Sequence, residues 1–373
     1  MKTIVISAVN LRKGGTLTIL NDCLRAFSQW NSQDDHRVVA VVHERRLADY
    51  QHIEYVEIPW SVRSWLHRLW CEYVTMHRVS RQIGDVDLWL SLHDTTPRVR
   101  AKRQAVYCHN SYPFFHWHWR HLLLNYRIVC FAVFTKWIYR INIHRNQFII
   151  VQQEWFRKEM NRMFGIDKEK IIVARPEGKK EQKCEEVKRL RENHEDSSRT
   201  IFLYPAFPDV HKNMECLCEA ARLLEHEVGT GRFEVVLTTK KDFNKYSQWI
   251  SKRWGDVKSL RFCGFLDKKE LEKEYAKAHC LVFPSKVETW GLPISEFAVT
   301  GKPMLLADLP YAHETSAGSQ RVAFFHPENA EDLKDKMLLL LSGDDHHFHP
   351  VPEQKYEEPN TADWQQTIAI LTT

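Results

Sequence analysis

Short apolar runs rich in β-branched residues alternate with helix-type stretches along almost all of this chain, and that alternation leaves few folds open. Thr3–Ala8, Arg37–Val42, Asp87–Ser91, Gln104–His109 and Gln147–Val151 read as buried strands, with Ile171–Val173 as a sixth. The pattern resumes at Thr200–Tyr204, Phe233–Thr238, Leu260–Cys263, Cys280–Phe283, Met304–Ala307 and Val322–Phe325. Strands that are apolar on both faces and joined by helices make parallel sheets covered on both sides. Between the two sets lies 176–199, charged and nearly free of large apolar residues, which reads as a linker with a solvated helix at Glu185–Glu195. A length of 373 residues suits two domains, each able to bury a core. We expect a first domain over 1–175, a second over 200–345 and a polar tail over 346–373.

Charge is distributed unevenly. Residues 1–150 hold 20 Lys and Arg against 11 Asp and Glu, and no acid occurs from Thr95 to Gln153. That stretch interleaves Arg98, Arg100, Lys102, Arg103, Arg120, Arg127, Lys136, Arg140 and Arg145 with Trp117, Trp119, Tyr126, Trp137 and Tyr139. Such a field attracts phosphates, anionic lipid headgroups or nucleic acid. The longest apolar run within it, Ile128–Thr135, is bracketed by Arg127 and Lys136 and falls short of the roughly 20 residues a membrane span needs. On a helical wheel Arg120 and Arg127 share one stripe while Lys136, Arg140 and His144 fall roughly opposite. A core helix with basic ends and a membrane-docking surface therefore weigh equally. The N-terminus lacks the pattern of a signal peptide, and the nine cysteines follow no chelating spacing, so a reducing cytosol with free thiols is expected.

Glu288 follows the strand Cys280–Phe283, and Gly291-Leu-Pro293 opens a helix that carries Glu296 in its first turn. Two acids beside a helix N-terminus at a strand end can grip neutral hydroxyls while backbone N–H groups hold an anion. Taken singly, each acid reads as a solvated loop group or a dipole complement. Lys212 follows Thr200–Tyr204 at another helix start, where a cation can neutralise a leaving diphosphate. Gly14-Gly15-Thr16 follows the first strand, with the glycines admitting close backbone approach and Thr16 placed to cap the helix. His109 ends the strand Gln104–His109. Asp85-Val-Asp87 fits a metal-binding D-x-D pattern, but its place before a buried strand reads as structural.

Glu288-Thr-Trp-Gly-Leu-Pro-Ile-Ser-Glu296, with Val282-Phe-Pro-Ser285, Gly301-Lys-Pro-Met304 and Phe325-His-Pro-Glu-Asn329 around it, resembles the E-x7-E region of glycosyltransferase family 4. The resemblance covers residues 200–340 most closely and continues more weakly before them. It implies an α/β GT-B fold, two Rossmann-like domains with parallel sheets facing across a cleft, the tail crossing back to the first domain. It implies a retaining, metal-independent hexosyltransferase with no cofactor. Catalytic residues would be Glu288, His109 and Lys212. The nucleotide-sugar would meet Gly14, Gly15, Lys212, Glu288, Thr289, Trp290, Gly291, Leu292 and Glu296. Two departures stand out: Thr289 where the family usually has Gly, and no Arg in Pro205-Ala-Phe-Pro208 shortly before Lys212. The expected partners are a nucleotide-sugar donor, a lipid-linked glycan acceptor of bacterial surface polysaccharide synthesis and an anionic membrane face, without nucleic acid. The setting is the cytoplasm or the inner face of the plasma membrane. Alternatives are a non-catalytic nucleotide-sugar scaffold and a basic nucleic-acid-binding protein.

Overall fold

The computed structural model describes residues 1–176 and 199–373, so the linker expected over 176–199, with its helix at Glu185–Glu195, lies but for its end residues outside the described residues. These form two compact units: residues 1–110, 134–176 and 356–373 in one, and 111–133 with 199–355 in the other.

The first unit is built on β1 (Thr3–Ala8), α1 (Gly14–Trp30), β2 (Arg37–Val42), β3 (Glu54–Glu57), α2 (Trp65–Trp70), α3 (Met76–Ile83), β4 (Leu88–Ser91) and β5 (Arg103–Tyr107). After α4 (Trp119–Arg140) come β6 (Phe148–Val151), α5 (Glu154–Phe164) and β7 (Ile171–Ala174). The second unit carries β8 (Thr200–Tyr204), α6 (Met214–Val228), β9 (Phe233–Leu237), α7 (Lys245–Trp254), β10 (Leu260–Phe262), α8 (Lys268–Lys277) and β11 (Cys280–Phe283). It continues through α9 (Leu292–Ala298), β12 (Met304–Ala307), α10 (Pro310–Thr315), β13 (Val322–Phe325) and α11 (Ala330–Leu341). The tail adds β14 (Asn360–Thr361) and α12 (Trp364–Thr372).

All strand pairs are parallel. The eight-stranded sheet runs β14-β7-β6-β5-β4-β1-β2-β3, and the six-stranded sheet runs β10-β9-β8-β11-β12-β13. Both reverse direction beside their first strand, between β1 and β4 and between β8 and β11. In doubly wound sheets that reversal opens a crevice at the strand C-termini, where ligands bind.

The buried apolar runs fall where the sequence places strands, with ends trimmed by a residue or two. Asp87 lies just before β4, and its carboxylate accepts the Thr3 N–H at 2.8 Å and pairs with Lys102 at 2.8 Å. Those contacts occupy the acid of the D-x-D pattern structurally. Two strands escaped the sequence reading. β3 (Glu-Tyr-Val-Glu) is a sheet edge with charged ends, and β14 is two polar residues.

The two units also depart from a division at residue 175. Residues 111–133 join the second unit through Tyr112 and Phe115, which pack edge-on against the His211 ring with centroids 5.1 and 6.3 Å away. In the tail, 356–373 joins the first unit. Trp364, Ile368 and Leu371 enter the apolar core with Phe27, Leu24 and Leu20, and Trp364 stacks on Tyr107 at 5.6 Å.

Candidate functional site

Lys212 and Glu288 stand at the reversal point of the six-stranded sheet, one past β8 and the other past β11. Lys212 Nζ lies 2.5 Å from Glu288 Oε1, and both side chains keep limited solvent contact, at 19% and 15%. A short turn, Val210–Lys212, carries the lysine. It begins at Asp209, whose carboxylate accepts the Val210 N–H at 2.9 Å and the Asn125 amide at 3.0 Å. Burial raises the Asp209 pKa, with those two donors and Lys212 opposing. Next to Lys212, the buried His211 is held neutral: burial first, then the neighbouring ammonium, drives its pKa well below the ordinary value.

Three hydroxyls fix the loop that carries Glu288. Tyr204 donates to the Lys212 carbonyl at 2.7 Å and shares a hydrogen bond with Ser285 Oγ at 2.9 Å. Tyr311 donates to the Ser285 carbonyl at 2.6 Å, and Thr315 to the Trp290 carbonyl. The Lys286 N–H reaches the His211 carbonyl at 2.8 Å, and the Asn213 amide donates to the carbonyls of Pro284 (3.1 Å) and Pro327 (2.8 Å). Lys212 and Glu288 are thus set in place by their surroundings before any ligand arrives, which is what electrostatic preorganisation requires.

Gly291 caps α9 in the left-handed region at φ +84°. A Cβ there would meet Ile294 Cδ1 at 3.3 Å, Phe283 at 3.6 Å and Tyr311 at 3.7 Å. Gly291→Ala is therefore expected to cost about 1–2 kcal/mol from backbone conformation alone, read as a lower urea midpoint.

Glu296 departs from expectation. Because Gly291 is the cap and Leu292 the first helical residue, Pro293 is second and Glu296 falls in the second turn, not the first. Its Oε2 accepts the Tyr275 hydroxyl of α8 at 3.0 Å. Thr289 and Trp290 are half-buried, with Trp290 Nε1 3.3 Å from Ser295 Oγ, while Leu292 is exposed. His313 and Asp308 pair with each other at 2.7 Å, and the imidazole stacks on Phe324.

At the C-terminal ends of β8, β9 and β10 lies a cluster the sequence reading missed. Phe265 sits 4.8 Å from both Phe207 and Phe243 by ring centroid, and the latter two are more than half exposed. That the loops following three adjacent parallel strands each carry one of these rings is visible in the sequence only once the strand order is known.

Gly14, Gly15 and His109 belong to the first unit. Gly14, at φ +54°, and Gly15 open α1 just past β1. Thr16 does not cap that helix: it lies two residues inside, and its hydroxyl donates to the Lys13 carbonyl at 2.8 Å. His109 lies two residues beyond the end of β5. Its N–H donates to Asp94 Oδ1 at 2.6 Å and its Nε2 is 3.4 Å from Asp94 Oδ2. Burial lowers its pKa against the pull of Asp94. Beside it lies a buried pair unseen in the sequence, His93 Nδ1 to Glu72 Oε1 at 2.9 Å, with His93 Nε2 3.2 Å from Ser7 Oγ.

Residues 186–354 match the family model described as glycosyl transferases group 1. The chain is 21% identical over 240 residues to an O-antigen chain mannosyltransferase of Salmonella typhimurium, a match covering 64% of this chain and 60% of that protein's length. Among solved structures it resembles the apo form of a lipopolysaccharide outer core galactosyltransferase, with a TM-score of 0.61, 13% identity and coverage of 92% and 91% of the two chains. It also resembles Anabaena HepE in complex with UDP-glucose, with a TM-score of 0.62, 14% identity and coverage of 100% and 95%. The fold is GT-B, built from two parallel-stranded α/β units.

Proposed function

We propose that the protein is a retaining glycosyltransferase that moves a hexose from a nucleotide-sugar to a lipid-linked glycan in bacterial O-antigen, lipopolysaccharide or capsule synthesis. The observation that carries the reading is the Lys212–Glu288 pair, fixed at the reversal point of the second sheet inside the segment matching glycosyl transferases group 1. The O-antigen and lipopolysaccharide relatives support the pathway class, and the UDP-glucose complex of a structural neighbour supports the donor class.

In this reading Lys212 and the backbone at Gly291 and Leu292 bind the diphosphate, while Glu296 holds ribose hydroxyls. Glu288, Thr289 and Trp290 meet the sugar, and the faces of Phe207 and Phe243 offer a flat apolar surface to the base. Gly14, Gly15 and His109 keep the donor and acceptor roles that the resemblance implies. The bond from sugar C1 to the phosphate oxygen breaks as the acceptor hydroxyl attacks from the same face, and the departing phosphate takes the hydroxyl proton. Charge builds on the leaving diphosphate, so an ammonium already in place lowers the barrier without reorganising. Metal and cofactor have no assigned role in these steps.

A second reading, a scaffold that binds nucleotide-sugar without turning it over, is favoured by Thr289 and by the lack of an arginine in Pro205-Ala-Phe-Pro208, the stretch where the resemblance leads one to expect one. The test is a thermal-shift screen with GDP, UDP, dTDP and their common sugars, followed by product analysis with any donor that binds. A ligand at 100 times its Kd should stabilise by about 2.7 kcal/mol. Selective stabilisation with transfer supports the enzyme, and stabilisation without release of nucleoside diphosphate supports the scaffold. A chain indifferent to every nucleotide would refute both.

A further inference from the structure

Asp94 follows β4 in the left-handed region, at φ +67°, a conformation that Asp and Asn adopt more readily than most side chains. The loop after β5 converges on its carboxylate. Oδ1 accepts the N–H of His109 at 2.6 Å and that of Asn110 at 3.0 Å, and the Tyr139 hydroxyl lies 2.9 Å from the same oxygen. The Asp94 N–H in turn reaches the Tyr107 carbonyl at 3.2 Å, so the ends of two neighbouring strands are tied together. Oδ2 faces the His109 ring, whose Nε2 stands 3.4 Å away. Nδ1, the other ring nitrogen, is buried and has no partner among the described residues. Burial lowers the His109 pKa, with Asp94 opposing and the Arg68 guanidinium adding to the fall, so the ring is neutral at neutral pH. A neutral imidazole carries one N–H. Placed on Nδ1, that proton would be a buried donor facing nothing, and Nε2 would turn a lone pair towards a carboxylate. Placed on Nε2, it points at Asp94 and leaves the lone pair on Nδ1.

The geometry points to Asp94 as a positioning residue that fixes His109 in the Nε2–H tautomer, so that Nδ1 accepts a hydrogen bond from a hydroxyl of a sugar substrate. One carboxylate holds both the His109 backbone and its ring, and so sets the place and the tautomer together. A buried acceptor without a partner forfeits a hydrogen bond that water would have supplied, and a ligand hydroxyl restores it. The nitrogen also tells one end of a nucleotide-sugar from the other. A hydroxyl has a proton to give, whereas a diphosphate oxygen has none at neutral pH and would be repelled by the lone pair. With the opposite tautomer that preference would be reversed, since an N–H on Nδ1 favours the anion. The hydroxyl rests on the sugar-transfer reading, while the tautomer follows from the first unit alone.

The test begins with a long-range proton–nitrogen correlation spectrum of the imidazoles in the full chain, without ligand, His109 being identified by the signals lost in His109→Gln. The parent should show a protonated Nε2 and a bare Nδ1. Asp94→Asn keeps an oxygen for the two backbone N–H groups and tolerates the left-handed φ, so it should fold as the parent does. Its amide N–H would face Nε2 and exchange the two nitrogen types. Release of nucleoside diphosphate from UDP-glucose and GDP-mannose should then fall by about tenfold or more in kcat/KM. Melting temperatures with each sugar nucleotide and with bare UDP or GDP locate the hydroxyl. If it belongs to the donor, the extra stabilisation due to the sugar falls in Asp94→Asn; if it belongs to the acceptor, that increment stays and only transfer falls. A parent ring protonated on Nδ1 would overturn the proposal, and that spectrum decides the tautomer whether or not the variant folds. So would an Asp94→Asn chain that exchanges the tautomer and still transfers at the parent rate. A parent stabilised by none of the GDP, UDP or dTDP sugars would remove the hydroxyl along with the transfer reading, while the spectrum alone judges Asp94.

Discussion

Lys212→Ala is expected to lower the transfer rate by about 10²–10³-fold while moving the unfolding midpoint little. The ammonium is the partner of Glu288 at 2.5 Å and stands on a turn whose geometry is set by Asp209, Tyr204 and Asn213. Removing it leaves the turn intact, because none of those bonds involves the side chain. The stability change should be about 1 kcal/mol or less, the usual size for a pair with residual solvent contact. What disappears is positive charge where the leaving diphosphate becomes more negative, so the loss should appear in kcat as well as kcat/KM. Glu296→Gln separates a second role. Its assigned partners, the ribose hydroxyls, are the same in ground and transition states, so its effect should fall on the donor KM. The readout is released nucleoside diphosphate across donor concentration, with circular dichroism on each variant. A Lys212→Ala enzyme within several-fold of the parent, or one whose loss follows its unfolding, would remove the lysine from the chemistry.

What the sequence discloses about this site, and what it hides, follows from the range of the interactions. β1, β2, β8 and β11 to β13 are legible because each is a continuous apolar run buried on both faces, with flanking residues that stop it. Lys212 and Glu288 are legible as residues just past such runs. Their adjacency is not, since it depends on β8 and β11 lying side by side, 76 positions apart in sequence at the two charged groups. The turn assignment of Glu296 failed on helix phase: counted from the cap at Gly291, Glu296 is the fifth helical residue and so falls in the second turn. Its partner Tyr275 comes from the preceding helix, and no local pattern marks it. The same holds for residues 111–133, whose sequence reads as a continuation of the first domain. Their attachment rests on Asn125 reaching Asp209 and on two aromatic rings closing over His211, contacts that only the folded chain creates.

The largest stability effect should come from Arg157→Ala, about 3–5 kcal/mol, seen as a marked fall in the urea midpoint of the first unit. Arg157 is wholly buried in α5 and pairs with Glu154, its Nε lying 3.0 Å from Glu154 Oε2. Its remaining donors reach backbone carbonyls: Ile171 at 3.3 Å, Pro359 at 3.2 Å and Glu357 at 2.7 Å. One guanidinium therefore neutralises a buried carboxylate and fastens the tail to β7 just before β14. Truncation would leave that carboxylate uncompensated and take one donor from each of three carbonyls, of which that of Pro359 keeps the Val173 N–H at 3.1 Å. Arg157→Lys should recover only part of the loss, because an ammonium cannot match the planar fork that serves four acceptors. Pairing Arg157→Met with Glu154→Leu removes the stranded charge and should recover more, and the cycle of single and double variants measures the coupling. The tail beyond the fastening supplies Trp364, Ile368 and Leu371 to the core that α1 also lines. Limited proteolysis should accordingly cut Arg157→Ala near residues 350–360 before the rest of the chain. A tail that stays protected in a variant of unchanged midpoint would mean that β14 and α12 are held by their apolar contacts alone.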